Sequence, residues 1–537
     1  APPVLYVDTP LDGGSGSDSN DGTSWATAFA TLQKALQTAQ PGSGTEIWVA
    51  DGVYYPDMGS GLPDNDPTAT FALKSGIDVY GGFAGGETDR ALRNPFANET
   101  ILSGDIDGND SDANGDGIVD GAAGIQGTNS YHVVSAVNFL TSNPSATLDG
   151  FVITGGDAPG SGSDAWGGGL YVEQAEVIGA NLFIAGNRAS SAGGGVYVGA
   201  AGSEIALVNA LLASNDSPNG SAIWTDGPLQ LTNALVAHNT GSPMASSVIE
   251  VTNTTAVLHN VTATRNDGPL GLVSSGSIDV NNSILWANNP SGTGAQLASG
   301  DASATINVEN VVLDGGTAAG IDLSAGGSIG AAVNVLDTDP LFFDPDGLDD
   351  TPGTLDDNFR LQAISPALDV GDPTLLPADI ADLDRNGNTS NPIAIDFDGE
   401  LRVQESGLDL GAYEGGEAIL TLSSIADQSI NEDGSTGALG ITVTSPNAPA
   451  ETVTLTATSD NQDLIPDANL SVTGPDTDGN ASLRATPLAD SSGTATLTLT
   501  ATDGFTTATE TLLITVNPVN DAPTVANPIA DVEVAED

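Results

Sequence analysis

Asp112, Asn114, Asp116 and Asp120 occupy positions 1, 3, 5 and 9 of one short stretch, with Gly117 at position 6. Oxygen donors at that spacing, with glycine at the bend, can wrap a backbone around calcium, a hard cation that takes carboxylate and carbonyl oxygens. Position 12, where such a loop carries a bidentate Glu, is Ala123, so water or a distant carboxylate must complete the shell. Asp105, Asp107 and Asp110 lie just upstream and can supply one. A second acidic loop holds Asp382, Asp384 and Asn386, with Asp396 and Asp398 following. A third is Asp344, Asp346, Asp349 and Asp350 around Gly347. Each also has a plain reading as a solvated Asp/Gly turn.

The charge balance narrows the partners. Lys plus Arg total 10 against 71 Asp plus Glu, a formal charge of −61. Nucleic acids and anionic membrane surfaces need basic patches, and this chain has almost nothing to build them from. The acid is mostly Asp among Gly and Asn, which suits calcium or a protein of salty water. There is no cysteine, so disulfides and thiol chemistry are excluded. No apolar run approaches the roughly 20 residues of a membrane helix, so no membrane insertion is expected. The opening Ala1, Pro2 and Pro3 fit a terminus left by signal peptidase, and a secreted or cell-surface location is expected.

The elements that carry these loops are set by a repeat. Gly167-Gly168-Gly169-Leu170-Tyr171 returns as Gly193-Gly194-Gly195-Val196-Tyr197. An Asn opening a short apolar stretch recurs at Asn181, Asn209, Asn233, Asn260, Asn282 and Asn310, in steps of 28, 24, 27, 22 and 28. A second series, Asn187, Asn215, Asn239, Asn266 and Asn288, keeps the same steps. Repeats of this length mean a solenoid or array. Two or three short strands per repeat describe one coil of a parallel β-helix, whereas propeller blades repeat at about 40–50 residues. Stacked at a corner, Asn amides can bond along the ladder, and Asn tolerates left-handed backbone. Both series are therefore read as structural.

The expected fold is all-β: a right-handed parallel β-helix with an N-terminal helical cap, followed by an Ig-like β-sandwich. Residues 1–44 form the cap, a strand and then an amphipathic helix through Trp25, Phe29, Leu32, Leu36 and Ala39. Residues 45–345 are the coils, and an Asp/Pro-rich tract over 346–416 closes them. Period-2 strands over 417–520 read as a sandwich. Ile425-Ala426-Asp427 reappears as Ile529-Ala530-Asp531, so 521–537 is expected to open a further module.

Several stretches carry a resemblance. They are Tyr6-Val7-Asp8, Asn20-Asp21-Gly22-Thr23-Ser24-Trp25, Ile47 to Pro56, Tyr80-Gly81-Gly82-Phe83, Leu102-Ser103-Gly104-Asp105, Ser365 to Asp369 and Asp409 to Glu414. In that order they resemble the bacterial pectin-lyase-like β-helix proteins described as choice-of-anchor Q. The part after 417, with Asn431-Glu432-Asp433 and Asn517-Pro518-Val519-Asn520-Asp521, resembles cadherin-like tandem repeats of large bacterial surface proteins. These resemblances imply secretion, surface anchoring or assembly, and adhesion. The cadherin likeness would make Glu432, Asn520, Asp521 and Glu536 calcium ligands at a module junction.

β-Helices of this kind often cleave acidic polysaccharides, so enzyme chemistry is the contrasting reading. A polyuronate lyase needs a basic proton acceptor, and between 130 and 345 only Arg188 and Arg265 are basic among Lys and Arg. Hydrolases on this fold use clustered carboxylates, and Asp149, Asp157, Asp164, Asp216, Asp226, Asp267 and Asp279 form no recognisable pair in sequence. His132, His238 and His259 are too scattered for a triad. The favoured expectation is a calcium-stabilised structural or adhesive protein without catalytic residues. Its expected partners are neighbouring subunits, through the β-helix ends or the C-terminal strand, or a glycan.

Overall fold

The short apolar stretches between Asn and Gly corners fold as strands, and most of them pair in parallel. The computed structural model describes residues 2–59, 61–113, 115–139, 145–199, 202–241, 247–288, 294–345, 347, 357–403, 407–417, 420–445, 452–477, 479–502, 507–520 and 533. The protein is all-β, with two units: Ala1–Phe342 with Phe359–Gly416, and Phe343–Asn358 with Glu417–Asp537.

In the first unit the chain alternates between two parallel sheets. The longer runs from Val4–Val7 through Glu46–Ala50, Asp78–Phe83, Ala146–Thr154, Glu176–Ala185, Glu204–Ala213, Leu229–Ala237, Thr255–Thr264, Ser277–Trp286 and Thr305–Leu313 to Ser328–Leu336. The second takes the shorter strands between them, such as Leu170–Glu173, Val196–Gly199, Ile223–Thr225 and Ile249–Thr252. Register aligns equivalent side chains into columns. Leu207 pairs with Leu231, Leu231 with Leu258, Leu258 with Val280 and Val280 with Val308. All five are fully buried, so the core is a stack of like residues along the sheet.

The two Asn series do different work. Asn181, Asn209, Asn233, Asn260, Asn282 and Asn310 all have φ between 47° and 55°, left-handed backbone that turns the corner. Along this column Asn209, Asn233 and Asn260 each donate Nδ2–H to the Oδ1 of the preceding Asn at 3.3 Å. The second series is fully interior. Asn187, Asn215, Asn239 and Asn266 each donate Nδ2–H to the Oδ1 of the next Asn, at 2.7–3.0 Å, and Asn288 donates to Gln296 at 2.7 Å. Glycine at the repeated triplet answers to crowding: a Cβ on Gly168 would stand 2.4 Å from the Arg188 carbonyl oxygen.

Beyond the Asn corner the outer faces of these strands are apolar. Leu211, Leu235, Ile284 and Val312 pack there with Phe359, Leu361, Leu410, Ala412 and Tyr413. Phe359, Leu361, Leu410, Ala412 and Tyr413 thus cover a second face of the long sheet, and Glu204–Ala213 is buried without alternation from Leu207 on.

The capping helix is shorter than its periodicity predicts. It spans Leu32–Thr38, with Thr31 Oγ1 accepting from Lys34 N. Trp25 lies in a single 3-10 turn, Trp25–Thr27, and Phe29 is extended, bridging Val7. Asp18 sets this boundary by accepting the N–H groups of Ala30 and Thr31. Among the described residues no helix is long and apolar enough to cross a membrane.

In the second unit two four-stranded sheets share one apolar core. One contains Thr421–Leu422, Leu439–Thr444, Asn480–Ala485 and Leu470–Thr473. The other contains Gln428–Asn431, Thr507–Asn517, Gly493–Thr502 and Thr454–Ser459. The expected opening strand over 521–537 lies outside the described residues, Glu533 excepted.

Candidate functional site

The Asp112 loop is built by its own carboxylates. Asp112 accepts from the N–H groups of Gly115, Asp116 and Gly117 at 2.7–3.1 Å, and Asp116 accepts from Ile118 N at 2.8 Å. Asp112 and Asp116 line an open hollow of about 470 Å³ together with Asp51 and Glu99. Burial raises the Glu99 pKa, and the charge of Asp116 raises it further. Asp120 does not line this hollow; it accepts instead from Ser111 Oγ and Ala113 N. Asn114 lies outside the described residues. The donor set is hard oxygen and suits calcium chemically. Still, among the described residues no three acidic or His side chains converge on one ion position.

The upstream carboxylates are spent on backbone. Asp105 accepts from Gly108, Asn109 and Asp110 N, and Asp107 accepts from Thr128 N. Asp110 accepts from Gln126 N and from Asn129 Nδ2, and burial pushes its pKa up to about 6. The sign follows from linkage. The folded state holds this proton more tightly than the unfolded chain, so its stabilising effect is complete below about pH 4 and lost as pH rises through 6. Asp110→Asn should therefore gain melting temperature relative to wild type between pH 4 and pH 7. Parallel melting curves for the two proteins would exclude the shift.

The second predicted loop is a chain of turns. Asp382 Oδ1 accepts from Gly387 N, Asp384 from Asn386 N, and Asn386 from Asn388 N. Beneath it lies Asp379, fully buried and not singled out in sequence, accepting from Leu383 N. Asp396 and Asp398, offered as supplementary ligands, are engaged elsewhere. Asp396 is buried on the N–H groups of Asp398, Glu400 and Glu414, and Asp398 pairs with Arg360 at 2.7 and 2.8 Å. In the second unit Glu432 is buried and accepts from Val519 N. Asn520 is described; Asp521 and Glu536 lie outside the described residues.

Four of the carboxylates weighed for hydrolysis are also occupied. Asp149 is tied to Arg93, and Asp157 takes Arg188 in a two-bond fork at 2.9 and 2.8 Å. Asp226 accepts from Asn253, and Asp279 from Asn307. Burial holds His259 down to about 4, so its imidazole is neutral at pH 7.

One grouping escaped the sequence altogether. Arg90, Arg93 and Arg385 line a single cleft of about 890 Å³ in the first unit, with Tyr80, Asp149 and Asn181. Arg90 Nη1 donates to the Tyr80 hydroxyl at 2.6 Å and to Glu46 at 3.2 Å, and its guanidinium sits 4.5 Å from the Tyr80 ring centroid. Arg93 donates to the Gly81 carbonyl oxygen at 3.0 Å and to Asp149. Arg385 reaches the carbonyl oxygens of Ala91 and Arg93, nearly 300 residues away in sequence.

No protein-family model matches the chain, and no curated protein is similar to it. Among solved structures, a chimeric titin Z1Z2 functionalized with an exogenous peptide from decorin is 16% identical, covering 19% of this chain and 95% of that one, with a TM-score of 0.15. The titin M3 domain is 18% identical, covering 18% and 95%, also with a TM-score of 0.15. Those likenesses are too partial to carry an argument about what the chain does.

Proposed function

We propose that this chain is a secreted or cell-surface structural protein that assembles with neighbouring subunits. In this reading the first unit is a right-handed parallel β-helix and the second an Ig-like module. The observation that carries it is the strand Ser328–Leu336. It ends the long parallel sheet, and among the described residues no strand pairs beyond it. Gly330, Ala331, Ala332 and Val333 are exposed along it, Val333 to 45%. An open edge of small and apolar residues, unguarded by Lys or Pro, is a template for another chain. The −61 charge opposes such contact, and calcium on Asp112 and Asp116, with Glu99 beside them, would lower that repulsion. The second acidic loop and the Glu432–Asp521 junction would take calcium in the same role.

Particle mass by light scattering, with electron microscopy of the same sample, tests this in millimolar calcium and then in chelator. Ordered polymers that disassemble on chelation are expected, and Val333→Lys should prevent them by placing a charge on the edge. A monomer in both conditions would overturn the assembly reading.

A further inference from the structure

Asn386 sits in a loop that places a group at each atom of a ring closure. Gly387 follows it, and both residues are exposed. An Asn side chain loses ammonia when the next backbone nitrogen attacks its Cγ, and glycine favours this because it has no Cβ to crowd the approach. Around Gly387, at φ 79°, a Cβ would meet nothing within 4 Å. The Gly387 N–H donates to Asp382 Oδ1 at 2.9 Å, so a carboxylate stands ready for the proton of the attacking nitrogen. Asn386 Oδ1 accepts from Asn388 N at 2.7 Å, a backbone donor on the oxygen where negative charge develops. Asn386 Nδ2, the leaving nitrogen, donates to Asp384 Oδ2 at 2.6 Å. We propose that Asn386 is a self-modification site, where the folded loop converts asparagine to aspartate and isoaspartate through a succinimide.

Water is the sole co-reactant. The Gly387 nitrogen bonds to Asn386 Cγ as its proton passes to Asp382. The Cγ–Nδ2 bond then breaks, the proton returns through solvent to the departing nitrogen, and ammonia leaves. Water opens the ring at either carbonyl, which leaves the new carboxylate on the side chain or in the main chain. Asn219 and Gly220 form the same dipeptide in a different setting. There the Gly220 N–H donates to the neutral Ser247 hydroxyl at 3.3 Å, and the half-buried Asn219 holds its Nδ2 on the Ser191 carbonyl oxygen at 2.8 Å. No difference between the two pairs is visible in the dipeptide; the carboxylate on the attacking N–H separates them. The product sets a third carboxylate beside Asp382 and Asp384. Its effect on calcium in that loop rests on the reading above, whereas the conversion itself does not.

Incubation of the full chain at neutral pH, folded and in urea, tests it when followed by digestion and peptide mass spectrometry. Reading at peptide level separates Asn386 from Asn114 and Asn219, which also precede glycine. Asn386 should convert faster in the folded chain than in the unfolded one, and Asn219 the reverse. Asp382→Asn keeps an oxygen on the Gly387 N–H but removes the base. It should slow the folded rate about tenfold, a modest share of the roughly 10²–10⁴-fold that positioned proton transfer contributes, and leave the unfolded rate unchanged. Asp382→Glu, which restores a carboxylate, should recover part of the rate and so distinguish a lost base from a disturbed loop. Folded Asn386 converting no faster than unfolded Asn386 would overturn the proposal. So would an Asp382→Asn variant that converts as fast as wild type, or an Asp382→Glu variant no faster than Asp382→Asn.

Discussion

Arg402→Ala is expected to destabilise the first unit by about 3–5 kcal/mol, the cost of breaking a buried ion pair by removing one partner. Arg402 is fully buried. It donates to Glu414 Oε1 at 2.6 Å, to the Gly411 carbonyl oxygen at 2.6 Å, and to Asn233 Oδ1 at 3.1 and 3.3 Å. One side chain thus ties residues 402–414 to the Asn corner of the parallel sheet. Burial already pushes the Glu414 pKa up against the pull of Arg402. Without the guanidinium that carboxyl would bind its proton more tightly still. The loss should be smallest at low pH, where the unpaired Glu414 is neutral, and grow as pH rises through its folded pKa. The double variant Arg402→Met with Glu414→Leu should recover most of the stability, because two apolar groups leave no orphaned charge. Denaturant unfolding followed across pH measures all three. A loss below about 1 kcal/mol for Arg402→Ala, the scale of an exposed pair, would show that the pair is not holding the segment.

Asn239→Ala is expected to cost about 3 kcal/mol or more, because unsatisfied buried polar groups cost about 1–3 kcal/mol each. Asn239 donates to the carbonyl oxygens of Leu212 and Ala237 at 2.8 and 3.1 Å and to Asn266 Oδ1 at 3.0 Å. Its own Oδ1 accepts from the backbone and side-chain nitrogens of Asn215 at 3.1 and 3.0 Å. Truncation strands groups on both neighbouring repeats, in a site with no exposure to water. Because stacked repeats couple mainly to their neighbours, hydrogen exchange should accelerate most over 205–266. A uniform change along the unit would count against a local ladder.

The repeats were legible because an Asn corner is a local backbone requirement. Left-handed φ at Asn181 through Asn310 recurs wherever the chain turns into the apolar strand. The interior ladder was legible as spacing, but its end was not. Asn288 closes on Gln296, eight residues on, which no repeat step indicates. The capping helix was overextended for a similar reason. Phe29 has helical spacing from Leu32, yet its partner is Val7, a contact made only after the first strand is placed.

The acidic loops divide along the same line. Asp112 and Asp116 were visible as a spacing, whereas Asp51 and Glu99 join their hollow from two other turns of the chain, each beside a strand. Asp396 looked like a free ligand in sequence and is instead a buried acceptor for three N–H groups. Arg90, Arg93 and Arg385 carried no signal at all, since 292 residues separate the carbonyl of Arg93 from the guanidinium that reaches it.

By itself the sequence determined the all-β character, the repeat length, the corner residues and the negative field, since each depends on backbone preference or on charge that sums without regard to position. Only tertiary structure decided which carboxylates face a common hollow, which are consumed by N–H groups, and that three of the few arginines meet in one cleft. Those are distances between residues far apart in the chain, and they exist only once the stacked strands and the segment folded across them fix each side chain in space.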